Sequence, residues 1–148
     1  MKYLFLDFDG VLNVPRRSDF DKEFVGNLNR ITDSTGAKIV LSTSWRDIFK
    51  FKDLVAILQT HGVTGEIIDV IKTLSVLDGC IEVASKRGAE ILAWCVYHNV
   101  GRLGVYKGIV AIDDYCDELM EPFTAKCDCE RGLTSDVADE AIEILNRK

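Results

Sequence analysis

Tyr3-Leu4-Phe5-Leu6-Asp7-Phe8-Asp9-Gly10 decides the fold of this chain. Four apolar residues run unbroken into a carboxylate, the pattern of a strand buried on both faces in a parallel sheet. Asp7 and Asp9 stand two apart, so on a strand they project to one side and face one spot where the strand ends. Gly10 supplies the sharp backbone turn by which the chain leaves. Two further runs repeat the design. Ile39-Val40-Leu41 ends at Ser42, and Ile109-Val110-Ala111-Ile112 ends at Asp113-Asp114.

The segments between these runs have helical period. Ser18-x-x-Asp21 has the form of a capping box with Asp in place of Glu; Phe24, Val25, Leu28 and Ile31 follow, and Gly36 is the stop. A second helix is expected near 47–60, carrying Leu54, Ile57 and Leu58 and ending at His61-Gly62. A third runs from about Lys86 to His98 through Ile91, Leu92, Cys95 and Val96. The last starts at Ser135 and uses Ala138, Ala141, Ile142 and Leu145. Asp136 and Asp139 lie in its first turn and Arg147 and Lys148 at its end, as the helix dipole prefers. Weaker strands are expected within 66–72 and near 123–127. Alternating strands and helices predict an α/β fold, a three-layer Rossmann-like core with a mostly parallel sheet of about five strands. A length of 148 residues suits a single domain over 1–148. Ligands of such sheets bind outside the carboxyl ends of the strands, where Asp7, Ser42 and Asp113 converge.

Composition removes several classes. No apolar run approaches the roughly 20 residues of a membrane span. Asp7 interrupts the apolar stretch a signal peptide would need. A cytoplasmic protein with no membrane partner is expected. Five cysteines, an odd number, read as free thiols of a reducing compartment. Cys127-x-Cys129 has neither His61 nor His98 near it in sequence, too few ligands for zinc. The net charge of −6 is uneven: residues 113–140 hold ten acids against Lys126 and Arg131 alone. This acidity argues against nonspecific nucleic-acid binding but leaves room for a local basic patch. Arg16 and Arg17, in the loop after Gly10, and Arg46 are candidates for such a substrate-contacting rim; a solvated loop is the plainer reading of Arg16-Arg17.

Asp7, Asp9, Asp113 and Asp114 on one edge repel one another unless a cation sits among them. Ligands that are all oxygen suit a hard cation, with Mg²⁺ the first choice.

These stretches resemble the haloacid dehalogenase (HAD) superfamily of phosphohydrolases. Leu4 to Leu12 is similar to its first motif, Ile39 to Ser42 to its second, and Ile109 to Asp114 to its fourth. Asp9-Gly10-Val11-Leu12-Asn13, the stretch from Thr35 to Arg46, Arg87-Gly88-x-Glu90-Ile91 and Gly132-Leu133-Thr134 further resemble the HAD domain associated with Swiss Army Knife RNA repair proteins. The resemblance implies an Mg²⁺-dependent phosphatase. Asp7 would attack phosphorus and form an aspartyl-phosphate. Asp9 would protonate the leaving oxygen and later activate water. Asp7, the backbone carbonyl of Asp9, and Asp113 would bind the metal; Asp114 would bind a water on the metal or orient the basic residue. Ser42 would hold a phosphoryl oxygen, with Thr43 offering its backbone N–H. The basic third motif is Lys86 or Arg87. About ten residues separate Gly10 from the first helix, so no large cap domain is expected there, only a short flap at Val14-Pro15-Arg16-Arg17. An open site admits a phosphorylated small molecule or a nucleic-acid end.

Three other readings stand beside this one. A small-metabolite phosphatase would use the same machinery. An inactive binding module is disfavoured by retention of both Asp7 and Asp9. A receiver-type phospho-acceptor domain places adjacent acids after its first strand and the acceptor later, the reverse of the order here.

Overall fold

The computed structural model describes residues 1–74, 86–101 and 105–148. Five strands form one sheet: β1 (Tyr3–Leu6), β2 (Lys38–Leu41), β3 (Ile67–Val70), β4 (Ile109–Asp113) and β5 (Thr124–Lys126). Their order is β3-β2-β1-β4-β5 and every pairing is parallel. The α-helices among the described residues are α1 (Lys22–Thr35), α2 (Phe51–Thr60), α3 (Arg87–Tyr97) and α4 (Ser135–Asn146). The fold is thus the α/β architecture expected from the sequence. Cys80 and most of the segment joining β3 to α3 lie outside the described residues.

The central position of β1 follows from its composition. Leu4, Phe5 and Leu6 are fully buried, a demand only a strand with neighbours on both sides and layers on both faces can meet. Leu6 lies level with Leu41 of β2 and Ile112 of β4. The residues that follow, Asp7, Ser42 and Asp113, are therefore set side by side at one edge. Alternation puts Tyr3 and Phe5 on one face, where both rings meet Trp94 of α3 edge-on at 5.3 and 5.4 Å. Continued one step, the same alternation turns Asp7 toward the α3 side. Leu4 and Leu6 face the other way and are equally buried. α1 and α4 pack against each other, with α4 also lying over β4 and β5.

Two local expectations are corrected. The cap of α1 is Asp21 rather than Ser18: the Glu23 amide donates to Asp21 Oδ1 at 2.8 Å. Phe20, just ahead of the cap, turns inward and packs against Phe8 at 5.3 Å, while Ser18 and Asp19 stay exposed. The helix expected near 47–60 begins only at Phe51, and a separate 3-10 turn, Ser44–Asp47, precedes it. Thr43 Oγ1 accepts from the Trp45 amide at 3.2 Å and so starts the short turn separately. Gly36 ends α1 as expected, at φ 68° with its N–H on the Thr32 carbonyl.

Candidate active site

Asp7 stands at the end of β1 and Asp113 at the end of β4, with side chains almost removed from water; the residues are 7% and 1% exposed. With Asp114 they form a group whose carboxylate oxygens lie within 4.8 Å of one another. Burial raises the Asp7 pKa, opposed by the Arg87 charge. Burial, reinforced by the Asp7 charge, pushes Asp113 up to about 8. Two buried carboxylates that resist ionising together are a donor set short of positive charge. Oxygen donors at this spacing fit a hard divalent cation such as Mg²⁺.

Among the described residues, Arg87, the first residue of α3, is the basic side chain that reaches this group. Its Nη1 lies 3.2 Å from Asp113 Oδ2 and 3.8 Å from Asp7 Oδ1, and it donates to the Ser42 carbonyl. The N-terminus of α3 is held by Asp117 in the loop after β4, whose Oδ2 accepts from the Gly88 amide at 2.9 Å. Lys86, the other basic candidate, turns away and pairs with Glu118. One residue of helical phase separates the two fates.

Ser42 and Thr43 are both buried but differ in use. The Ser42 hydroxyl has no hydrogen-bond partner, whereas Thr43 spends its side chain capping the 3-10 turn. Arg46, expected on a solvent rim, turns inward instead. Its side chain is 11% exposed and paired with Glu90 of α3, with Thr73 Oγ1 at 3.3 Å. A buried arginine is held by a buried acid because the desolvated charge has no better partner. Arg17 is 70% exposed and bridges to Asp21 at 2.8 Å, and Arg16 is exposed.

Asp9 differs from its neighbours in being exposed and outside the carboxylate group. Asn13 Nδ2 donates to its Oδ1 at 2.9 Å, and Trp45 Nε1 donates to its Oδ2 at 2.9 Å. Asn13 Oδ1 in turn accepts from the Gly10 amide at 3.1 Å. An open groove of about 420 Å³ passes Asp9, Gly10, Asn13, Trp45, Asp114 and Cys129. The placement of Asn13, Glu90 and Asp117 was not assigned from sequence. Asn13 and Glu90 lie inside the quoted motifs, but nothing in their spacing says which carboxylate or cation they meet. Asp117 carries no local signal at all.

Gly10 has φ +77°, and a Cβ added there would lie 2.5 Å from Asp114 Oδ2. Gly10→Ala is expected to cost about 1–3 kcal/mol in urea unfolding, from the left-handed backbone and the displaced carboxylate together. An unchanged midpoint would contradict this.

Among the described residues no helix is long and apolar enough to cross a membrane. No curated protein and no solved structure matches the chain. Residues 3–138, which carry the sheet and every side chain of the site, match the family described as the HAD domain in Swiss Army Knife RNA repair proteins, and the chain belongs to that family.

Proposed function

We propose that this HAD domain is an Mg²⁺-dependent phosphomonoester hydrolase acting through an aspartyl-phosphate, with phosphate ends of nucleic acids or nucleotides as its substrates. The observation that carries the reading is Arg87 set against two buried carboxylates, Asp7 and Asp113, beside a third, Asp114, which lines an open groove. Family membership supports phosphohydrolase chemistry, and the family's description favours a nucleic-acid end. Asp7, Asp113 and Asp114 would hold Mg²⁺, which when bound neutralises charge on the phosphoryl group and lets the buried acids ionise.

Asp7 attacks phosphorus through a carboxylate oxygen as the bond to the ester oxygen breaks. Asp9 gives its proton to that departing oxygen, which leaves as an alcohol. Asp9 then takes a proton from water as the water attacks the phosphoryl group, releasing inorganic phosphate and restoring Asp7. Arg87 neutralises phosphoryl charge, and the unpartnered Ser42 hydroxyl donates to a phosphoryl oxygen.

Phosphate release from a 3′-phosphorylated oligonucleotide, a mononucleotide and a sugar phosphate, with Mg²⁺ and with EDTA, tests the reading. Turnover that needs Mg²⁺ and is fastest on the oligonucleotide is expected. A rate on the oligonucleotide no better than on the small esters would overturn the nucleic-acid assignment in favour of a small-metabolite phosphatase. No turnover on any of them would count against the hydrolase itself.

A further inference from the structure

We infer that Trp45 and Asn13 form a two-point clamp that aims the Asp9 carboxylate at the leaving group, so that Trp45 is a positioning residue of the reaction. The inference rests on the hydrolase reading above, in which Asp9 supplies the proton. Asp9 is exposed, and a free side chain there would sample several rotamers. Each of its two oxygens instead accepts one N–H, from Asn13 Nδ2 and Trp45 Nε1, both at 2.9 Å. A carboxylate oxygen has two acceptor directions. The clamp therefore fixes the plane of the group while leaving room on each oxygen for the proton that is given and taken back.

The donors are themselves fixed. Asn13 is buried and accepts from the Gly10 amide. The Trp45 indole lies edge-on to Phe8 at 5.3 Å and rests against Phe20 at 5.7 Å and Phe49 at 5.8 Å. Its backbone amide is held by Thr43. The 3-10 turn after β2 thus carries the indole N–H across to the loop after β1. Trp45→Phe keeps an aromatic ring in this cluster and removes the N–H.

The test reads kcat/KM, which covers the steps up to the aspartyl-phosphate and leaves out the later water attack common to all substrates, on an alkyl phosphate, whose leaving group needs a proton, and a nitrophenyl phosphate, whose leaving group does not. With wild type as reference, Asp9→Asn is expected to lose about 100-fold or more on the alkyl ester relative to the aryl ester. Trp45→Phe is expected to follow the same pattern at about tenfold, with less than about threefold lost on the aryl ester. An equal fall on both esters, or no fall on either, would overturn the positioning role. A second readout is independent of turnover. The chain has two tryptophans, Trp45 and Trp94, and the Trp94 indole donates to Asp69 at 2.8 Å, remote from Asp9 in the chain. In ¹⁵N-labelled protein, Asp9→Asn should shift the Trp45 indole N–H signal and leave that of Trp94 in place. An unmoved Trp45 signal would remove the clamp. A wild type that hydrolyses neither ester nor the 3′-phosphorylated oligonucleotide, itself an alkyl phosphate, would remove the hydrolase reading and with it the positioning role, while the indole signal would still report the hydrogen bond.

Discussion

Asp7→Asn is expected to lower phosphate release by at least about 10³-fold while the chain stays folded. The amide has the same shape as the carboxylate but lacks the oxygen nucleophile on which the proposed covalent step depends. Its effect on stability runs the other way. Asp7 is buried beside Asp113; burial holds Asp7 above the usual carboxylate range, and burial reinforced by the Asp7 charge does the same for Asp113. Removing one charge relieves the other, so the metal-free variant should melt at or above the wild-type temperature near neutral pH. Loss of activity with a retained or raised Tm identifies a chemical role. Activity surviving at the wild-type level would remove Asp7 as nucleophile, and a collapsed fold would show that the carboxylate was structural.

In the absence of metal, stability should fall as pH rises between about 4 and 8. The direction follows from Asp113, whose pKa is about 3.8 when unperturbed and is pushed up to about 8 in the folded chain by burial and by Asp7. Across that window the folded state binds the extra proton, so raising pH withdraws a proton that folding favours. One such group changes the unfolding free energy by up to about 1.4 kcal/mol per pH unit. Arg87, 3.2 Å from Asp113, offsets part of this cost without removing it. Mg²⁺ should reverse the trend, because it binds the ionised carboxylates: its thermal shift is expected to be small at pH 5 and to grow toward pH 8. Melting curves at several pH values with EDTA or Mg²⁺ measure both. A metal-free Tm that rises steadily with pH, or an Mg²⁺ shift that does not depend on pH, would contradict the assignment of Asp113 to a cation site.

The strands were legible because they are short, apolar and continuous, so each could be satisfied only by burial on both faces. Ile67–Val70 and Thr124–Lys126 lie within the stretches 66–72 and 123–127, where weaker strands were expected. Helix ends were less legible. Asp21 displaced Ser18 as cap, and α2 begins at Phe51 behind a separate 3-10 turn at Ser44–Asp47, with Phe20 and Trp45 both drawn into the ring cluster around Phe8. Local pattern carries no information about that long-range demand.

The sequence by itself determined the sheet and the edge at which Asp7, Ser42 and Asp113 meet, because alternation and burial along a strand act within a few residues. Only the tertiary structure decided what each polar side chain faces. Arg87 rather than Lys86 reaches the buried acids, as the phase of α3 and the Asp117 cap dictate. Arg46 folds inward because Glu90 is buried beside it, and Trp45 reaches across from β2 to Asp9. Each of these contacts joins residues far apart in the chain. Which donor meets which acceptor there is set by the packing of α3 and the loop after β2 on the sheet, and by the cost of leaving a buried charge unpaired.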